Sequence, residues 1–265
     1  MTEINTRKLA LQILQKLEKK ENHLNQVVDE YFTKSPITSE KKKSVFSLVI
    51  GVLRHKKLLD YILEKRFHGN YGKSQYFVRN LLRIGLYQLK MEKKPAYAII
   101  NEIVKIAKRK DKNAAGLIHA VLQKTTDSDI FQEIETDKKL SPTQKLALKN
   151  LHPEWLINRW LKRFSDDEVL ALCDWNNTPA AVTIRFNFLR HSWIEFESIL
   201  KNAGAEFARS KTNPVFVRLK NTSKLPLKQW IIEGWCSVQD EAAGWICHLV
   251  DPQPNEKIAD LCAAP

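Results

Sequence analysis

Four apolar stripes at three-to-four residue spacing run through the first half of the chain and leave it one kind of fold. Leu9, Ile13, Leu14 and Leu17 form the first, and Val45, Leu48, Val49, Val52 and Leu53 the second. Val78, Leu81, Leu82, Leu86 and Leu89 form the third, and Ile99, Ile103, Val104 and Ile106 the fourth. This period puts apolar side chains on one face of a helix, and that face must be buried against other helices. From Thr6 to about Thr126 the spacing predicts an all-α bundle. Gly51 and Gly85 fall inside two of these helices, where each costs about 1 kcal/mol relative to Ala, so close helix crossing is the expected reason for them.

Beyond the bundle the pattern changes. DSDIFQEIETDKKL, residues 127–140, loses the clean stripe and turns acidic, as a connector would. After it, Ser141 or Thr143 can cap a helix, and Pro153 suits the first turn of another carrying Trp155, Ile157 and Trp160. AAVTIRFN (180–187) alternates like a strand, and PVFVRL (214–219) reads as a second. Ser192 with Glu195 has the capping-box spacing for a helix running to about Ala203, which Gly204 is placed to end. A small α+β module is expected from 141 to 235. Residues 236–265 then read as a new unit: Asp240 caps a helix with an apolar face of Ala242, Ile246, Leu249 and Val250, DPQPNE turns the chain, and Lys257–Cys262 makes a strand. A chain of 265 residues has the length of two domains.

Charge separates the halves. Residues 1–126 hold 26 Lys and Arg against 11 Asp and Glu, a net of +15, and residues 127–265 hold 17 against 19, a net of −2. A basic excess confined to one segment is the footprint of nucleic-acid binding, because each neutralised phosphate releases condensed counterions. The residues expected to meet phosphates are Arg7, Lys8, Lys41, Lys42, Lys43, Arg54, Lys56, Lys57, Lys108, Arg109 and Lys110. No apolar run reaches the roughly 18 residues of a membrane span, so a cytoplasmic protein without membrane contact is expected. Cys173, Cys236, Cys247 and Cys262 show no paired spacing, which argues against a disulfide framework or a bound metal.

No P-loop, GxGxxG, HExxH or GxSxG pattern occurs, so phosphoryl transfer, simple dinucleotide binding, zinc proteolysis and serine hydrolysis have no local support. What carries information is the unit SVQDEAAGWICHLVDPQPNEKIADLCAAP (237–265), a capped helix, a turn and a strand ending in small residues. With FSLVIGVLRHKKLLDYIL, LLRIGLYQLKMEKKPAYAIINEIVKIAKR, GLIHAVLQK and LHPEWLINRWLKRF, it resembles the N-terminal part of the RsmB (Sun/Fmu) family of 16S ribosomal RNA cytosine-C5 methyltransferases.

The resemblance implies a mainly α, NusB-like RNA-binding domain over 1–126, a linker over 127–140 and a small α+β RNA-binding module over 141–235. The first helix and strand of a Rossmann-like, S-adenosylmethionine-dependent methyltransferase domain would occupy 236–265. It also implies that Cys262, Ala263, Ala264 and Pro265 begin the cofactor loop, with 16S ribosomal RNA as the partner of a monomer. Methylation at cytosine C5 needs a cysteine thiolate to add to C6, and the family's catalytic cysteine motifs match nothing in these 265 residues. No catalytic residue is therefore assigned, and the chain is expected to be inactive by itself. Cys173, Cys236 and Cys247 are expected to be small core residues. Gln239 and Asp240 read as a helix N-cap and its neighbour, with a role facing cofactor or RNA as the alternative. The competing function is a stand-alone NusB-like RNA-binding or antitermination module without catalysis.

Overall fold

Each stripe becomes a helix, and two of the four, the first and the second, open on a capping side chain. In the computed structural model, which describes residues 5–18, 23–34 and 37–261, α1 (Thr6–Leu17) is capped by Asn5 and α3 (Ser39–Arg54) by Thr38, with α2 (Leu24–Lys34) between them. The helices α4 (Lys56–Arg66), α5 (Tyr76–Lys90), α6 (Ala96–Lys108) and α7 (Lys112–Gln123) follow, the last capped by Asp111. Each cap oxygen accepts from a backbone N–H of the first turn, a donor that has no partner within its own helix. All four stripes supply the core, which includes Leu9, Ile13, Val45, Val49, Leu81, Leu82, Ile99 and Ile103.

Gly51 and Gly85 are close-approach positions, as expected. A Cβ at Gly51 would run into the Tyr87 ring, and one at Gly85 would lie 2.7 Å from a Leu122 methyl. The helix α5 also buries three polar side chains, Asn80, Arg83 and Gln88. Arg83 is held by Asp60 of α4, Glu18 and Asn80.

The chain divides into two units, Met1–Asn177 and Thr178–Pro265. The segment expected as a connector, 127–140, is a packed part of the first. It contains α8 (Ile130–Thr136), capped by Asp129, with Ile130 and Ile134 buried in the bundle core. Its acidity, read as connector chemistry, matches the basic end of α4: Arg66 pairs with Glu133, and Lys65 lies 2.6 Å from Asp137. Three further helices, α9 (Pro142–Lys149), α10 (Glu154–Trp160) and α11 (Asp166–Asn177), also belong to this unit, around Ala147, Ile157, Val169 and Cys173. Ser141 starts α9 with a full capping box, Gln144 answering the Ser141 backbone.

The second unit is a four-stranded antiparallel sheet in the order β2-β3-β1-β4. Its strands are β1 (Val182–Phe186), β2 (Glu206–Arg209), β3 (Phe216–Lys220) and β4 (Cys236–Val238). Between β1 and β2 runs α12 (Trp193–Asn202), opened by the Ser192–Glu195 capping box and followed by Gly204 at φ +67. Between β3 and β4 lies α13 (Leu227–Ile232). One face of the sheet buries Ile184, Phe186, Val217, Leu219 and Cys236 against Phe196, Leu200 and Trp230. The other carries α14 (Glu241–Val250), whose Gly244 backbone rests on the Phe216 ring.

Three expectations for 236–265 change. Cys236–Val238 does not begin a separate unit, because it pairs with β1 in the register Ile184↔Val238 and Phe186↔Cys236. Asp240 does cap α14, but the expected apolar face is exposed, with Leu249 at 84%. The helix docks through Gly244 and Glu241 instead, a glycine giving the closest approach to an aromatic ring and the carboxylate taking hydrogen bonds from Ser210, Thr212 and Arg218. Finally, Lys257–Asp260 is not a strand, and Ile258 and Leu261 are exposed. The sheet ends at the edge strand β4, and residues 257–260 pair with no strand among the described residues.

Candidate nucleic-acid interface

Eleven basic residues were expected to meet RNA, and the fold brings three of them to one groove. Lys8 projects from the first turns of α1, and Arg109 and Lys110 follow the last turn of α6. With Gln12, Gln15 and Phe77 they line a cavity of about 270 Å³. Lys8, Gln12 and Gln15 recur at four and three residues, so they form one polar edge of α1. Phe77, at the start of α5, is buried, and the Lys110 ammonium lies 4.5 Å from its ring centroid. That distance is within cation–π range.

Arg7 sits beside the groove but is held, its Nε donating to Gln88 at 2.6 Å. Lys108 is exposed on the same end of α6 as Arg109. Two acids stand near: Asp111, which follows Lys110 and caps α7, and Glu102, whose pKa is lowered first by a hydrogen bond from Lys105 and further by the charges of Arg7 and Arg109. The groove thus presents three exposed cations, two amides and an aromatic edge. Such a surface suits phosphates and sugar hydroxyls, which position a nucleic acid without reading its sequence.

The remaining expected residues lie elsewhere on the bundle. Lys41, Lys42 and Lys43 occupy the first turns of α3, where Lys42 lies 5.6 Å from the Phe32 ring centroid. Arg54 closes the same helix, and its charge, after burial as the larger cause, helps keep the neighbouring His55 imidazole below its ordinary pKa. Lys56 is committed to Glu18 at 3.4 Å, and Lys57 lines a separate cavity of about 190 Å³ beside Leu148 and His152. Sequence reasoning missed Gln12, Gln15 and Phe77. The two glutamines had a readable signal in their spacing from Lys8. Phe77 had none, since it precedes the stripe that begins at Val78.

The cysteines separate into two kinds. Cys173 and Cys236 are core residues as expected, and burial pushes both thiols up, Cys236 to about 11. Neither is a thiolate at neutral pH, the form a nucleophile needs. Cys247 departs from expectation: it is exposed, because α14 buries Gly244 and Glu241 rather than its periodic face. Asp240 is an N-cap, accepting from Ala242, and the Gln239 backbone donates to the Thr183 carbonyl. The expected cofactor residues Cys262, Ala263, Ala264 and Pro265 lie outside the described residues. Among the described residues no group of three metal-ligating side chains converges, and no helix is long and apolar enough to cross a membrane.

Comparison with known proteins supplies context for both units. Residues 4–127 match the NusB family, and residues 152–225 match the ferredoxin-like domain described as Methyltr_RsmF/B-like. The chain is 27% identical to the probable ribosomal RNA small subunit methyltransferase B of Synechocystis sp., over 99% of this chain and 59% of that protein. It is 29% identical to the protein of the same name from Bacillus subtilis, over 100% of this chain and 59% of that protein. The chain thus spans about 59% of the length of the curated relatives it matches. Among solved structures, the crystal structure of PH0851 superposes with a TM-score of 0.64 at 19% identity, over 96% of this chain and 57% of that one, a likeness of fold.

Proposed function

Because this chain carries a NusB-family domain followed by a ferredoxin-like domain of the RsmF/B methyltransferase type, we propose that it is the RNA-holding portion of a 16S ribosomal RNA cytosine-C5 methyltransferase that uses S-adenosylmethionine. The observation that carries this reading is the groove in which Lys8 meets Arg109 and Lys110 across about 100 residues of sequence, within a segment of net charge +15. Relatives named as small-subunit rRNA methyltransferases support the substrate class.

In this reading the bundle holds structured rRNA through its backbone. An A-form helix hides its base edges in a deep major groove and displays phosphates and 2′-hydroxyls, which lysine, arginine and glutamine side chains can meet. Cys262–Pro265 would begin the cofactor loop, and the cofactor would supply the methyl group. Residues 1–265 by themselves hold RNA as a monomer in the cytoplasm and transfer no methyl group. The described core thiols, Cys173 and Cys236, are protonated, and no cysteine stands in a catalytic motif of the resembled family.

The test is affinity for a 16S fragment as a function of salt. Each phosphate neutralised contributes roughly 0.7–0.9 to the slope of log K against log salt. Replacing Lys8, Arg109 and Lys110 together with Gln should weaken binding and lower that slope by about two. A wild-type slope and affinity in the triple variant would refute the groove as the RNA site.

A further inference from the structure

The second unit contains a cavity of about 290 Å³ that the basic groove of the first unit does not involve. It opens between the loop that leaves β1 and the turn that enters β4, and its walls include Arg185, Phe188, Leu189, Gly234 and Ser237. Arg185 stands opposite Phe216 and Ser237 in the ladder, so it lies on the sheet face away from the apolar core. Arg185 is half-buried, and its side chain makes no hydrogen bond or ion pair with any described residue. A second guanidinium, that of Arg190, lies over Gly234, within 3.0 Å of where a Cβ would be.

The walls are pinned in place. Asn187 donates from its backbone to the Trp235 carbonyl and from Nδ2 to the Gly234 carbonyl, both at 2.9 Å. Gly234 turns the chain at φ +80, a conformation that side chains with a Cβ rarely adopt. The loop so fixed leaves Phe188 54% and Leu189 83% exposed. An aromatic face in water, beside an unpaired arginine in a preformed cavity, is a surface lacking its complement.

We propose that this cavity receives one unpaired nucleotide of an RNA strand, its base stacked on Phe188 and its phosphate or base edge held by Arg185. The proposal rests on the RNA-holding reading above and extends it to a second site of different chemistry. Unit 2 holds 10 Lys and Arg against 9 Asp and Glu, a net of only +1 with which to hold a duplex by charge, and a cavity of this volume admits one base, not a helix. Single strands are bound by such aromatic platforms, because every base offers a π-face on which an aromatic side chain can stack.

The experiment uses the whole 265-residue chain and two probes: a ten-nucleotide single-stranded RNA carrying one 4-thiouridine, and the same sequence paired as a duplex. Photocrosslinking should place the thiouridine on the Phe186–Arg190 segment. Phe188→Ala should weaken the single strand about tenfold and leave the duplex unchanged, Phe188→Tyr should retain affinity, and Arg185→Gln should weaken the single strand while lowering its salt slope. Phe188 is largely in solvent, so an unchanged thermal melt is expected for each variant. Crosslinks confined to residues 1–177, with Phe188→Ala binding like wild type, would overturn the proposal and leave the groove of the first unit standing. Displacement of the RNA from this segment by a poly-glutamate peptide, with no loss on Phe188→Ala, would overturn it too, marking a site for acidic protein.

Discussion

Arg83 grips Asp60 with two parallel hydrogen bonds, Nε to Oδ1 at 2.7 Å and Nη2 to Oδ2 at 2.8 Å. Its Nη1 reaches Glu18 at 2.6 Å and Asn80 Oδ1 at 2.8 Å, and the Tyr71 hydroxyl donates to the same Asp60 oxygen at 2.7 Å. Arg83 is only 5% exposed. A charge this far from water is tolerable only while paired, so removing one partner costs more than removing both. Asp60→Ala should lower unfolding free energy in urea by about 3–5 kcal/mol. Asp60→Leu combined with Arg83→Met should lose less than the two single changes added together. Independent, additive losses would mean that the pair is not coupled.

The same cluster sets an acid sensitivity. Burial alone would push the Glu18 carboxyl up, but hydrogen bonds and charge from Arg83 and Lys56 outweigh it and hold the carboxyl below its ordinary value. A lowered native pKa contributes stability that is fully present above the unfolded-state value of about 4.3 and is lost as pH falls through the native one. Melting temperature should therefore drop steeply below pH 4. Glu18→Gln should be less stable at pH 7 and show a shallower drop between pH 5 and 3. Parallel curves for the two proteins would contradict the linkage.

Gly85 tests packing against propensity. Alanine in a helix interior is favoured over glycine by about 1 kcal/mol. Here, however, the new Cβ would meet a Leu122 methyl at 2.7 Å in the core. Overpacking of this kind costs typically 1–3 kcal/mol, so Gly85→Ala should be neutral to destabilising by about 2 kcal/mol. Adding Leu122→Ala should recover part of the loss. A stabilised Gly85→Ala protein would show that α5 and α7 can separate freely.

Thiol chemistry should divide the cysteines as the structure does. Brief alkylation of the native protein at pH 8, followed by peptide mass spectrometry, should modify Cys247 and spare Cys173 and Cys236. The spared thiols are buried and protonated, the latter with a pKa of about 11. In urea all should react. Native labelling of Cys236 would mean that β4 opens readily from β1.

The helices α1, α3, α5 and α6 were legible because each buries a stripe long enough for its period to show. The helix α8 was not, since Ile130 and Ile134 are its only buried residues and its acids looked like linker rather than the partners of Lys65 and Arg66. Among the strands, β1 and β3 alternate visibly. EFAR of β2 and CSV of β4 are too short to carry a pattern, and only the register with β1 gives Cys236 its place. The face of α14 was misread because period-based reasoning weighs large apolar side chains, whereas this helix docks through the absence of one at Gly244. For the candidate interface, charge pointed to the N-terminal half of the chain and to a set containing Lys8, Arg109 and Lys110, which line one groove. Which members converge is a property of the α1–α6 packing, to which the spacing of charges along the chain is blind.

The ion pairs of α8 also bear on kinetics. By neutralising Lys65 and Arg66 at the end of α4, Glu133 and Asp137 remove that end from the outward field of the bundle, while Lys8, Arg109 and Lys110 remain exposed. In the RNA-holding reading proposed above, a polyanion diffusing toward the protein feels an uneven potential and is oriented before it touches, which raises productive encounters without strengthening the final grip. Glu133→Gln with Asp137→Asn would make the surface more positive, and nonspecific capture would become more frequent while correctly oriented arrival became rarer.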